Sequence, residues 1–129
     1  LINGMLAEKP KAGDGKFVRM GSGFNNRIEP KADAQFPAEA GRYHLYISHA
    51  CPWCHRTTIM MALKGLNDLV SITEMEPLMG DNSWKIDNAF YSPNIGVPRD
   101  EYMYEVYLRE DSNYTGPITV PVLLDKKTV

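Results

Sequence analysis

Apolar positions recur with regular spacing from about residue 43 onward, whereas before residue 40 no helical or strand period lasts more than a few positions. Residues 1–40 alternate Lys, Gly, Pro and Asn, residue types that punctuate a backbone, so they are read as an irregular N-terminal extension. Phe17, Val18, Met20 and Phe24 are the side chains able to tack it to a folded body; a free tail is the other reading. Residues 43–48 read Tyr-His-Leu-Tyr-Ile-Ser, rich in aromatic and β-branched types, and predict a first strand with Leu45 and Ile47 on one face. Pro52 suits the first position of a helix, where its missing N–H is no loss. Ile59, Leu63 and Leu66 follow at helical spacing, and Gly65 offers a cap. Val70 and Ile72 then alternate with polar neighbours from Leu69 to Thr73. Strand, helix and strand of these lengths imply a right-handed parallel crossover.

The pattern changes again over residues 76–99, where Pro77, Gly80, Asp81, Asn82, Pro93, Gly96 and Pro98 break any continuous element and predict a long loop. Asp100 is placed to cap a helix running to about Leu108, with Met103 and Tyr107, and Tyr102 and Val106, as i, i+4 pairs. Val120-Pro121-Val122-Leu123-Leu124-Asp125 reads as a short buried strand entered through a proline, with a turn beginning at Lys126-Lys127-Thr128. The folded unit predicted is therefore residues 41–129, a small α/β domain.

Composition narrows what such a domain could do. A chain of 129 residues supplies one core, not two, and 43% hydrophobic with 23% charged residues is ordinary for a globular protein. Fourteen basic against 16 acidic residues leave a net charge of −2, which cannot furnish the basic footprint that nucleic acid demands. No apolar run approaches the roughly 20 residues of a membrane span, and no export signal opens the chain, so a soluble, cytoplasmic protein is expected. The strand-like run just before Val129 suggests that the sequence is a piece of a longer chain.

Both cysteines stand in Ala50-Cys51-Pro52-Trp53-Cys54-His55, where a predicted strand gives way to a helix. Unpaired N–H groups and the helix dipole favour an anion there, and cysteines in such seats ionise in a range of roughly 3.5–7.5. Cys51 is thus the candidate nucleophile. Cys54, one turn deeper, is a candidate resolving thiol, more shielded and less activated. Other readings compete. Two free cysteines can be plain core residues. Cys-x-x-Cys-His also matches c-type haem attachment, but that needs an exported chain and an exposed loop. A zinc site would need more ligands than His44, His49 and His55 provide at their spacing, so no metal is expected and those histidines are read as structural or solvated.

These residues resemble the glutathionyl-hydroquinone reductases, the xi-class glutathione transferases. The likeness runs through Tyr43-His44-Leu45-Tyr46, Ala50-Cys51-Pro52-Trp53, His55-Arg56-Thr57, Lys64-Gly65-Leu66, Pro77-Leu78-Met79, Trp84 and Thr119-Val120-Pro121-Val122-Leu123 to Asp125-Lys126-Lys127, and more weakly from Gly15 to Ile28. The resemblance implies a thioredoxin-like N-terminal domain of a glutathione transferase, cut before its last strand and helix, with an all-helical C-terminal domain absent. It implies glutathione as co-substrate and glutathionyl-hydroquinones as substrates. Cys51 would remove glutathione as a mixed disulfide, with no metal, no membrane and no nucleic acid involved, and the full-length parent would be a homodimer. Trp84 would pack beside glutathione, and Val120, ahead of a cis Pro121, would pair its backbone with the cysteinyl part. Most members carry alanine where Cys54 stands. The alternative is therefore a glutaredoxin-like dithiol oxidoreductase using Cys51 and Cys54, and a third reading is a non-catalytic glutathione-binding module.

Overall fold

The computed structural model describes residues 1, 4, 5, 21, 23–90 and 93–128, with residues 90 and 93 described in backbone only. Its elements in chain order are β1 (Tyr43–Ile47), α1 (Pro52–Leu63), β2 (Ser71–Glu74), α2 (Met103–Glu110) and β3 (Val122–Asp125). The sheet has the order β2-β1-β3, so the earliest strand is central. β1 runs parallel to β2, with Leu45 opposite Ile72, and antiparallel to β3, with Leu45 opposite Leu123. The parallel β1-α1-β2 unit is the one predicted from sequence. A central strand covered on both faces should bury every residue, and all five of β1 are buried.

Since alternate residues of a strand face opposite ways, β1 separates two kinds of core. Leu45 and Ile47 lie in one apolar cluster with Cys54 and Met61 of α1. His44 points the other way, fully buried. Its ring nitrogens meet Ser71 Oγ at 2.7 Å and Thr73 Oγ1 at 3.0 Å, and its ring lies edge-on to Tyr46 at 4.7 Å. Burial pushes the His44 pKa down to about 4, with Lys126 adding to the effect. Met103, Val106 and Tyr107 are the buried residues of α2.

Three expectations need correction. Ile59 and Leu63, taken as a stripe of α1, are exposed at 45% and 75%; the buried residues of the helix are Cys54 and Met61. With apolar residues on most sides of α1, spacing alone could not choose its inner face. Asp100 is not the cap of α2. The helix begins after Tyr102, where the Glu105 carboxylate accepts N–H bonds from Glu101 (2.7 Å) and Tyr102 (2.9 Å), while Asp100 pairs with Arg109. Finally, β2 starts at Ser71 and not at Leu69, because the N–H groups of Leu69 and Val70 both turn back to the Leu66 carbonyl. Gly65, by contrast, does close α1, at φ +66°, a conformation glycine adopts freely.

The lead-in touches the domain where it is described. Phe24 stacks on Tyr114 at 5.5 Å and meets Tyr107 edge-on at 5.7 Å, and the Tyr43 hydroxyl donates to the Pro37 carbonyl at 2.7 Å. Phe17, Val18 and Met20 lie outside the described residues. Arg42 and Asp125 tie the entry of β1 to the exit of β3 through two bonds of 2.8 and 2.5 Å. The pair holds the Asp125 carboxyl below its usual range, chiefly by the hydrogen bond from Arg42.

Candidate active site

Four residues, 48–51, join β1 to α1, and backbone bonding fixes their path: the Cys51 N–H donates to Ser48 O (3.0 Å) and the Ala50 N–H to Ser48 Oγ (3.3 Å). Cys51 thereby becomes the N-cap of α1, extended at φ −102° and ψ 115°, with Pro52 following and no acidic side chain in the first turn to oppose an anion. Its carbonyl takes the His55 N–H at 3.2 Å. Because Pro52 has no N–H, the first turn offers the amides of Trp53 and Cys54 toward the cap position. The Cys51 thiol, partly buried, donates to the Val120 carbonyl at 3.4 Å across 69 residues of sequence. The Val120–Pro121 bond is cis.

Cys54 lies behind, buried among core residues. Its Sγ accepts the Ser48 N–H at 3.4 Å. Burial pushes its pKa up to about 11, opposed by the Ser48 bond and helped by a hydrogen bond and charge from Cys51. The same first turn therefore carries two thiols in different surroundings, the outer one at the cap and the inner one held protonated. A cavity of about 230 Å³ lined by Ser48, His49, Cys54, His55 and Thr58 reaches the inner one. His49, one of its lining residues and largely exposed, is 3.1 Å from Glu74.

Of the residues singled out from sequence, Cys51, Cys54, Val120 and Pro121 thus come together. Trp84 is carried by the loop between β2 and α2. It packs partly buried against the core, and its carbonyl receives the Met103 N–H at 2.9 Å, joining the loop to the start of α2. Ser83, just before it, has φ +73°. Sequence reasoning passed over Ser48, which organises both thiols. Its signal was a serine at the end of a strand, where side chains of this type bond the backbone two residues on. A second, larger cavity of about 590 Å³ lies on the α2 face between Phe24, Phe36, Tyr107 and Leu124, and includes Pro121 but neither cysteine. Among the described residues no cluster of three or more metal-ligating side chains occurs, and no helix is long and apolar enough to cross a membrane.

A parallel crossover, a cysteine at the cap of its helix and an antiparallel strand entered through a cis-proline together define a thioredoxin-like domain. Residues 50–129 match the family model of the glutathione S-transferase N-terminal domain, and the chain belongs to that family. It is 44% identical over 124 residues to the glutathionyl-hydroquinone reductase YqjG of Escherichia coli strain K12, a match covering 91% of this chain and 38% of that protein. Among solved structures, a xi-class glutathione transferase from Natrialba magadii superposes with a TM-score of 0.78 at 35% identity, over 99% of this chain and 38% of that one. The glutathione-bound E. coli YqjG gives 0.67 at 45% identity, over 78% and 33%. The chain thus spans little more than a third of the relatives it matches.

Proposed function

We propose that this chain is the thioredoxin-like part of a glutathionyl-hydroquinone reductase, in which Cys51 is the nucleophile. The observation that carries this reading is the Cys51 sulfur at the cap of α1, 3.4 Å from the carbonyl that precedes a cis-proline. Identity to a glutathionyl-hydroquinone reductase supports the choice of substrate class.

The chemistry is thiol exchange at sulfur. The Cys51 thiolate attacks the glutathione sulfur of the thioether, the carbon–sulfur bond breaks, and its electron pair takes a proton on the ring carbon to leave free hydroquinone. Cys51 then carries glutathione as a mixed disulfide. A second glutathione thiolate attacks the glutathione sulfur of that adduct, giving glutathione disulfide and restoring Cys51. The sum converts one thioether and one glutathione into hydroquinone and glutathione disulfide, with no further electron carrier. In this reading the Val120 backbone aligns the cysteinyl part of glutathione beside Pro121, and Trp84 flanks the bound tripeptide. The whole protein would act in the cytoplasm as a homodimer, with the quinone held by an all-helical C-terminal domain.

The test is a single-turnover reaction of the full-length parent protein, native or carrying Cys51→Ala, with a glutathionyl-hydroquinone, followed by chromatography of the released ring. Hydroquinone in proportion to protein is expected from the native parent and none from its Cys51→Ala variant. Equal release from both would overturn the assignment.

A further inference from the structure

Cys54 is a nucleophilic group that the single-cysteine cycle leaves unused, yet its surroundings are specific. It is three positions from the helix cap occupied by Cys51, anchored by the Ser48 N–H, and reached by a cavity that does not include Cys51. Positions three apart on a helix bring their Cβ atoms to about 5–6 Å, and a disulfide closes near 4 Å, so a small tightening of the first turn would join the two sulfurs. Only the cap and one turn of backbone need move.

Resting on the reading of Cys51 given above, we infer that Cys54 is a resolving residue, which displaces glutathione from Cys51 and closes an intramolecular Cys51–Cys54 disulfide as a reserve state of the site. The Cys54 sulfur attacks the Cys51 sulfur of the mixed disulfide. The bond between Cys51 and glutathione breaks, and the departing glutathione thiolate takes up the proton that Cys54 releases. The cavity beside Ser48, His49 and His55 is large enough to hold water and gives that proton a way out of the core. No oxidant beyond the adduct is required, and two glutathione molecules reopen the disulfide, yielding glutathione disulfide.

High pKa suits this role. Burial keeps Cys54 protonated, so it does not compete for the first substrate, and it acts only once its neighbour bears a disulfide. Closing the pair when glutathione is scarce also shields Cys51 from irreversible oxidation.

The test uses the full chain with glutathione disulfide as probe, acid quenching and intact mass measurement of the native chain, Cys54→Ala and Cys54→Ser. In the native chain a one-glutathione adduct is expected to rise and give way to a species lighter than the reduced chain by two hydrogens. Both variants are expected to stop at the adduct, which should decay at least about tenfold more slowly than in the native chain, because attack within one molecule carries a high effective concentration. An adduct equally long-lived in all three proteins would overturn the inference and leave the Cys51 reading intact. Absence of any adduct on either variant would overturn the Cys51 reading, and this inference with it.

Discussion

Residues 48–51 carry the chain from β1 to α1, and residues 75–102 carry it from β2 to α2. The short link is held by its own backbone and by one serine hydroxyl, so its geometry is local and rigid, and it delivers a sulfur atom to a defined place. Among its described residues the long link has no regular element beyond two single 3₁₀ turns, and it is held from outside. The Met75 N–H donates to the Ile47 carbonyl at 2.7 Å, the Asp87 N–H to the Glu74 carbonyl at 2.9 Å, and Lys126 Nζ to the Ile95 carbonyl at 2.9 Å. A connection fixed by its neighbours in sequence can host chemistry. One fixed by distant contacts takes its shape from the sheet and helices around it.

That contrast can be broken at each end. The largest effect is expected from Cys51→Ala, which should reduce glutathione adduct formation below detection in intact mass spectra while leaving the melting temperature nearly unchanged. Next comes β1, the strand from which the short link departs. An unfolded histidine protonates near pH 6.5, whereas buried His44 protonates only near 4, so the unfolded state binds more protons between those values. Stability is accordingly full above about pH 6.5 and falls as the pH drops toward 4. The total loss is about 3 kcal/mol, at 1.36 kcal/mol per pH unit. Urea titrations of the native chain and His44→Gln at pH 7 and 4.5 would check this, the variant losing clearly less. Trp84→Ala should destabilise by about 2 kcal/mol, below the range for a fully buried aromatic because the indole is only partly covered. It should weaken glutathione binding by calorimetry, yet leave Cys51 alkylation by iodoacetamide unaltered. Smallest is Glu105→Ala, which frees the N–H groups of Glu101 and Tyr102 at the end of the long link. A loss of about 1 kcal/mol is expected, with adduct formation at Cys51 unchanged.

The same contrast decides what could be read from the residues. The short link was legible because its signals are adjacent: a β-branched and aromatic run, then Cys51 and Pro52, and later Gly65. The end of α1 that carries Cys51 followed from those alone. Which side of α1 faces inward did not, since Ile59, Met60 and Met61 are equally apolar and only the sheet beneath chooses between them. In the long link, Asp100 looked like a cap, but the partner that claims it is Arg109, nine residues on. The meeting of Cys51 with Val120 spans 69 residues, and no local pattern encodes it; only the resemblance of Val120-Pro121 to a known motif pointed there. Ser48 was missed for a plainer reason, because a serine ending a strand is common and its two bonds become visible only once the cysteines are in place.

The central strand has neighbours at very unequal separations along the chain. His44 meets Ser71 across 27 residues, whereas Arg42 meets Asp125 across 83. Closing the nearer loop forfeits less chain entropy, so during synthesis the crossover around α1 can assemble while residues near 120 are still being made. The sulfur of Cys51 is therefore seated on its helix before the carbonyl that will face it exists. A nascent chain passes through an interval in which that thiol is already placed and still uncovered.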